Sequence, residues 1–582
     1  MTPRRNSCEL EIDLFCNGVR IDPSCSLEED ARKVARTRAG LGSGLELVIP
    51  GARKDLWLNV PVEEDFARRS PYSLLRAGHD YLVHDARNGE RYAVRIPQEP
   101  SWYGRRTARG TEMSRVGVLQ GTYLGIYISN SCLFWYSNPA QNCRFCTTGS
   151  NVGVNEVAEK HLDDVVEVAR AAKAESGVTF VHFNSGYQSG RDLPLAAPYV
   201  KAVKEEVGAL VGVQLFPTRD LEQYDRMIEI GADHFSFCYE FHNPEYFARY
   251  LPGKERAAGQ ETFFRALEYT AKRLGKGAVS GEIIAGVEPI EDTIRAIDYI
   301  TSVGAFPTVC IFRPVVGAEM ERHPSPTYEE MRAVFAHVYE ACRRNGIPIG
   351  AAPNIEVSLI VQPDDARELA RPGLDTWLYD VRLKAVRAAA RPLFAWKSRR
   401  RRVPAAAFEA LVRARNGSGA AANAAACAAS TSNGSAAGTA GDATSPQVAA
   451  AEPAAAARRD ALREVFDALR AIAQRRPDGF TLDEREGVLE ITPVTAEGDA
   501  ASRCRMKIFR PRENRDRLCA FFYKRSNLGW SRDRFSYGAI EFLPEALTRE
   551  DAASWLAWLQ GGFDPDTRPP RLRRAFLYTI PD

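Results

Sequence analysis

Three cysteines fall within fifteen residues, in the run Cys132-LFWYSNPAQN-Cys143-Arg-Phe145-Cys146. The chain has 12 cysteines in 582 residues, so chance would place well under one in such a window. Thiolates are soft ligands that suit zinc and iron–sulfur clusters. Structural zinc wants four Cys or His ligands, and between residues 85 and 160 the sequence offers no Cys or His beyond these three. An iron–sulfur cluster also usually takes four thiolates, and one held by three keeps an iron open for a substrate or cofactor. Zinc completed by a remote ligand, and three unrelated structural cysteines, remain as alternative readings.

The flanking segments say how the thiols are positioned. Tyr123-Leu-Gly-Ile-Tyr-Ile-Ser129 reads as a buried strand, and Leu162, Val165, Val166 and Ala169 mark one face of a helix. The cysteines then lie on a long loop leaving the carboxyl end of a strand, where α/β barrels carry their chemistry. Strands are expected at 123–129, 178–183, 211–216, 233–239, 278–285 and 306–312. Helices are expected at 157–174, 194–207, 219–230, 259–274, 289–303 and 326–345. Successive βα units imply a parallel sheet with right-handed crossovers. Six units are too few to close an eight-stranded barrel. The expected class is α/β, a partial, open (βα)6 TIM-like barrel over 116–360 with an N-terminal β-rich domain and a C-terminal α+β domain.

Residues 1–115 read as the β-rich domain. Leu10, Ile12 and Leu14 alternate with Glu9, Glu11 and Asp13, and Asn17-Gly18 then signals a hairpin turn. Residues 361–415 read as a helical, basic extension ending near Lys397-Ser-Arg-Arg-Arg-Arg402. That run is expected to be a solvated helix end, with a phosphate-binding patch as the other reading. Residues 416–457 are Ala, Gly, Ser, Thr and Asn with few large apolar residues, the composition of a disordered linker. Residues 458–582 read as an α+β unit of unknown role. It has an amphipathic helix through Leu462 and Leu469, strands near 487–492, 504–510 and 519–525, and a helix opened by Thr548-Arg-Glu-Asp551. Trp555 and Trp558 on that helix are expected in its core.

A net charge of +2 gives no general attraction to nucleic acid or membrane. The first residues, MTPRRNSCELEIDLF, lack an apolar signal core, and no run of 18 apolar residues occurs. The expectation is a cytoplasmic protein with reduced thiols, where clustered cysteines serve metal or redox chemistry.

Further motifs join the cysteines. Gly281-Glu-Ile283-Ile-Ala285-Gly286-Val-Glu288 lies on the fifth strand, Cys238-Tyr-Glu240-Phe-His-Asn-Pro-Glu-Tyr246 at the fourth strand end, and Phe312-Arg313-Pro314-Val-Val-Gly317 after the sixth. Over residues 120 to about 360 the chain resembles the radical S-adenosylmethionine superfamily. The fifth-strand segment resembles the family's GxIxGxxE motif, with Ala285 at the middle glycine. The other two resemble the biotin synthase and lipoyl synthase branch. The family's usual cysteine spacing is C-x3-C-x2-C, and here the first gap is ten residues. Ten residues span over ~30 Å extended and can return to the same iron. Three aromatics and a proline in the insert should make it pack and turn.

The resemblance implies that Cys132, Cys143 and Cys146 hold an oxygen-sensitive [4Fe-4S] cluster whose open iron binds S-adenosyl-L-methionine. Phe145 should pack near the adenine, or else serve as a loop-core aromatic. Asn184, Ser185 and Gly186 stand where the family has its GGE segment and should meet the methionine ammonium. Glu240 is placed for the ribose hydroxyls, or else is a helix-start carboxylate before Asn243-Pro244. Lys254 or Arg256 should pair with the methionine carboxylate, or else be surface charges. Gly281, Ile283, Gly286 and Glu288 should let the fifth strand approach adenine. Arg313 is the catalytic candidate, pointing into the barrel mouth toward an anionic group of substrate or cofactor.

The implied partners are a reduced flavodoxin or ferredoxin-type electron donor and a small-molecule or peptide substrate, with no nucleic acid and no membrane. A barrel keeping its metal loop for structure or electron transfer is the competing class. Cys8, Cys16 and Cys25 are not expected to share an auxiliary cluster, because an extended strand would set the first two about 26 Å apart. Cys238 and Cys310 read as small buried hydrophobes, and Cys427 as incidental.

Overall fold

The computed structural model describes residues 4–25, 44–129, 132–135, 141–152, 156–413, 465–471, 473, 479–485, 488–494, 504–509, 518–525, 534–542 and 547–563. The chain divides into two compact units, residues 1–152 with 156–418, and 153–155 with 419–582. The linker expected at 416–457, Cys427 within it, and Leu462 lie outside the described residues.

The first unit opens with α1 (Ser7–Asn17), β1 (Arg20–Ile21), β2 (Gly44–Ile49), β3 (Leu56–Pro61), α2 (Asp65–Arg68), β4 (Tyr72–Ala77), β5 (Asp80–Asp85) and β6 (Arg91–Val94). Residues 9–15 are therefore helix, not the expected strand. The hydrophobic alternation misleads because α1 is buried nearly all round, Glu11 and Asp13 included. Asp13 is stabilised there by Arg5, Arg87 at 2.7 Å and the Tyr72 hydroxyl at 2.6 Å. The helix start is set by a capping box in which Asn6 accepts from Glu9 N and the Glu9 carboxylate from Asn6 N. Eight helical residues rise only about 12 Å, so the 26 Å separation expected of Cys8 and Cys16 does not hold. Both cysteines are buried in this helix.

Next come β7 (Val118–Gln120), β8 (Tyr123–Tyr127), α3 (Thr148–Asn151), α4 (Leu162–Ser176), β9 (Phe180–Asn184), α5 (Asp192–Ala202), β10 (Leu210–Gln214) and α6 (Glu222–Ile230). The series continues with β11 (His234–Glu240), α7 (Pro244–Tyr250), α8 (Pro252–Ala257), α9 (Gln260–Leu274), β12 (Val279–Ala285), α10 (Ile290–Ser302), β13 (Phe306–Ile311) and α11 (Tyr328–Asn345). The sheet order is β13-β12-β11-β10-β9-β8-β7, with β8 to β13 parallel and β7 antiparallel at the edge. This is a mixed α/β fold whose seven-stranded sheet curls into a half-barrel.

Alternation along the strands sorts the side chains. Val181, Phe183, Val211, Val213, Phe235 and Phe237 are buried on the helix-covered face. The concave face carries a lower aromatic layer, with Tyr123, Phe180, His182, His234 and Phe306 in ring contact from strand to strand. Above it lies a polar layer of Gln214, Cys238 and Glu282. The flanking helices have sequence-coded ends. A Thr327–Glu330 capping box opens α11, left-handed Gly346 ends it, and Asn243 with Pro244 opens α7.

Within the same unit, the described residues of the N-terminal region are tied to the segment that follows α11. Lys54 bridges Glu356, Asp364 and Asp365 at 2.7–2.9 Å, and Ser358 Oγ donates to buried Glu46 at 2.5 Å. Helix α12 (Leu374–Lys397) and α13 (405–413) complete the unit.

The second unit has α14 (465–471), then an antiparallel sheet of β14 (Phe480–Arg485), β15 (Val488–Pro493), β16 (Cys504–Phe509), β17 (Leu518–Arg525) and β18 (Arg534–Phe542), and α15 (Arg549–Gln560). Its strands neighbour one another in sequence order. Trp555 and Trp558 are buried among Phe522, Phe542 and Phe563, as core residues.

Candidate active site

The cysteine loop leaves β8 and is fastened at both ends. Leu133 N donates to Tyr187 O at 3.1 Å, and the Phe134 ring stacks on Tyr187 with centroids 4.3 Å apart. Gln141 N then donates to Phe134 O at 2.8 Å, which pinches the chain into a neck. Of the ten residues between the first two cysteines, only 133, 134, 141 and 142 fall outside the segment that this bond closes. Past the neck, Gly253 N donates to Gln141 O at 3.0 Å and Arg144 N to Tyr250 O at 3.0 Å, which ties the loop to α7 and α8. A Cβ at Gly253 would lie 2.5 Å from Gln141 O and from the Phe134 ring, so glycine is required for this seat. A turn with Cys146 N donating to Cys143 O at 3.1 Å brings the C-x2-C pair together.

Cys132, Cys143 and Cys146 are partly exposed and close enough to influence one another electrostatically. Burial pushes the Cys132 thiol up to about 12, opposed by N–H groups of Phe134 and Tyr187 and by Lys254. Burial also raises Cys143 strongly, against the pull of Lys254. Such thiols release their protons when they bind a metal. Among the described residues no three His, Cys, Asp or Glu side chains are set to hold a single metal ion. A cluster does not require the sulfurs to converge, because each takes a different iron.

The carboxyl ends of β9 and β11 face this loop. Behind Cys132 sits Gly186, where a Cβ would fall 2.3 Å from Cys132 Cβ and 2.7 Å from the Tyr127 hydroxyl. Gly186 N donates to that hydroxyl at 2.9 Å. Asn184 Oδ1 and Ser185 Oγ are buried and find no hydrogen-bond partner among the described residues. Buried acceptors left in that state cost free energy until something donates to them.

Glu240 ends β11 at φ +58, after a register shift, with Phe241 N bonded to Tyr239 O at 2.7 Å. A non-glycine residue in such a γ-turn is strained. The turn aims its carboxylate at Lys254 Nζ, 2.7 Å away, and Lys254 also donates to Cys238 O. Burial lifts the Glu240 carboxyl to about 7 despite Lys254, with Glu282 adding to the rise. The cap of α7 is Asn243, so Glu240 is not a helix-start residue. Arg256 is exposed. Phe145 meets Phe241 edge-on at 6.2 Å.

The ends of β12 and β13 differ. A Cβ at Gly281 would meet Ile300 of α10 at 2.8 Å, so this glycine admits the helix. Ile283 is fully buried two residues on. Gly286 adopts φ +95 against Pro326. The Glu288 carboxylate accepts from His242 N and Asn243 N, both at 2.9 Å, and thereby fixes the chain after Glu240. Arg313 is held by Glu64, with Nη2 to Oε2 at 2.9 Å, and by Asn59. An internal carboxylate occupies the guanidinium that the sequence reading gave to a bound anion.

Sequence reasoning missed Glu282, which accepts from Cys238 Sγ at 2.8 Å, Gln214 Nε2 at 2.5 Å and Ser236 Oγ. Its signal was a charged residue at a concave-face position of a β strand. Glu64 gave none, since its partner lies 249 residues away.

No family model matches the chain. The chain is 26% identical over 286 residues to the bacteriochlorophyllide c C-7(1)-hydroxylase of Chlorobaculum limnaeum, a match covering 44% of this chain and 70% of that protein. The similarity is to an enzyme.

Proposed function

We propose that the chain is a radical S-adenosylmethionine enzyme working at the carboxyl ends of a partial TIM-like barrel. Cys132, Cys143 and Cys146 would hold a [4Fe-4S] cluster, and Asn184, Ser185, Glu240 and Lys254 would meet S-adenosyl-L-methionine. The observation that carries the proposal is the neck between Phe134 and Gln141. It reduces a ten-residue gap to four effective residues and brings the spacing close to the family's C-x3-C-x2-C.

The residues fit the group. There are three mutually interacting thiols, a cation beside them, two orphaned buried acceptors for an ammonium, and a carboxylate aimed by a strained turn. Bound there, the cluster and S-adenosylmethionine would supply radical chemistry able to remove a hydrogen atom from substrate. The chain's own part would be to orient the cofactor, to exclude water from the site, and to offer the Glu240–Lys254 pair to it. A reduced flavodoxin or ferredoxin-type protein would donate the electron in a cytoplasmic compartment.

The similar protein is named a hydroxylase. This supports functionalisation of a C–H bond as the reaction class here, on a small molecule or peptide. Anaerobic reconstitution tests the reading. About four irons and four sulfides per chain, with 5′-deoxyadenosine formed on dithionite reduction, are expected. A colourless, zinc-loaded protein after anaerobic purification would refute it.

A further inference from the structure

Helix α12 presents an apolar face away from the protein. Its inward face carries Tyr379 and Leu383, both buried. Phe394 packs with Tyr123, Phe180 and Leu210, the first residues of β8, β9 and β10, so α12 lies across the amino ends of the strands. The opposite face is solvent-exposed and apolar. Leu374, Trp377, Leu378 and Val381 follow at helical spacing, Ala385 continues the stripe, and Trp396 closes it. Leu374, Trp377 and Trp396 are 71%, 59% and 56% exposed. A stripe with two exposed tryptophans exceeds the scattered surface apolars of ordinary proteins and marks an interaction surface. The helix has 24 residues and is about 36 Å long.

The surrounding charge identifies the partner. Asp375 and Asp380 flank the first turns, but from Val381 to Arg402 the chain has nine Lys and Arg and no Asp or Glu. Of these nine, Arg387 and Lys397 pair with Asp364 and Asp233. Arg382, Lys384 and Arg391 are exposed along the flanks of the stripe. Arg401 lies 5.3 Å over the Trp396 ring. A second copy docked face to face would set these cations against their like, which is unfavourable. Tryptophans and leucines between rows of long cationic side chains suit the headgroup zone of a bilayer, where the rings insert and the cations reach lipid phosphates. Among the described residues no helix is long and apolar enough to cross a membrane, so the contact is lateral.

We propose that α12 is a peripheral membrane anchor that seats its Trp377–Trp396 face in an anionic phospholipid surface. This seating would leave the carboxyl ends of the strands, where the candidate site lies, facing away from the bilayer. The inference does not depend on the chemistry proposed above.

Flotation of the full-length protein with vesicles tests it. Phosphatidylcholine vesicles carrying about 30 mol% phosphatidylglycerol should bind the protein at low salt, and pure phosphatidylcholine much less. Added salt should weaken binding. The double variant Trp377→Ser, Trp396→Ser should partition at least about tenfold more weakly with an unchanged melting temperature. Absence of flotation by the wild type, or equal flotation by the double variant, overturns the proposal. So does a dimer in light scattering that the double variant dissolves, which would assign the face to a second copy.

Discussion

The carboxyl ends of β9 and β11 and those of β12 and β13 carry the same kinds of residue to different ends. On the first pair, Asn184 and Ser185 keep buried oxygens without partners among the described residues, and Glu240 sits in a strained turn. On the second pair, Arg313 is taken by Glu64, the Glu288 carboxylate by two backbone amides, and Gly281 by a helix. The difference lies in how far the protein satisfies its own polar groups. The side-chain oxygens of Asn184 and Ser185 have no partner among the described residues and Glu288 keeps Oε1 open, whereas Glu240 has Lys254 and Arg313 has Glu64. Where it does, a motif residue builds the wall; where it does not, the residue is left open to a ligand's donor.

Substitution can break this contrast, and Cys143→Ala or Cys146→Ala should have the largest effect. Either variant should lose the cluster altogether, read as iron content and visible absorbance after reconstitution. A full cluster in either would place the ligands elsewhere. Arg313→Met should come next, costing about 3–5 kcal/mol of stability by leaving Glu64 buried without its counter-ion. Urea unfolding would show this, while calorimetric affinity for S-adenosylmethionine should hold. A loss of affinity at full stability would move Arg313 to the ligand-facing group.

The two glycines give a matched pair. Gly281→Ala should cost about 1–3 kcal/mol of stability through Ile300 with cofactor loading intact. Gly186→Ala should instead displace Cys132 and lower iron occupancy, and identical behaviour of the two would erase the distinction. Glu240→Gln should weaken cofactor binding by about 1–3 kcal/mol. Unchanged affinity would reduce Glu240 to the partner of Lys254.

The smallest effect concerns pH. Burial lifts Glu46 from the ordinary 4.5 to about 8, since Ser358 and Asn59 offer hydrogen bonds but no charge. The folded state then holds a proton that the unfolded chain releases. Its contribution to stability is full below pH 4.5 and is lost as pH rises toward about 8. Glu46→Gln should flatten that part of a stability profile measured between about pH 5 and 9. An unchanged slope would assign it to another buried acid such as Glu11.

The repeating βα units were legible because strand runs and helical faces recur with ordinary spacing, and each expected strand from 123 to 312 overlaps one in the structure. Helix α1 was not, since burial on every side erases the helical period; the Asn6–Glu9 capping box was the readable clue. The position of the cysteines on the loop after β8 and of Asn184–Gly186 at the end of β9 was legible as a local pattern. The commitment of Arg313 was not, because long-range ion pairs leave no trace in spacing. The orientation of Gly281 was not either, because a small residue on a strand reads alike whether a ligand or a helix approaches it.

The pinch between Phe134 and Gln141 has a consequence for how such a site changes over time. Cys132 is registered by Gly186 and Tyr187, and Cys143 by Tyr250 and Gly253, so neither depends on the length of chain between them. Insertions beyond the pinch are uncoupled from the placement of Cys132 and Cys143. A reader who searches for fixed cysteine spacing will pass over a cysteine set like this one, whose three-dimensional arrangement is held by hydrogen bonds that spacing does not record.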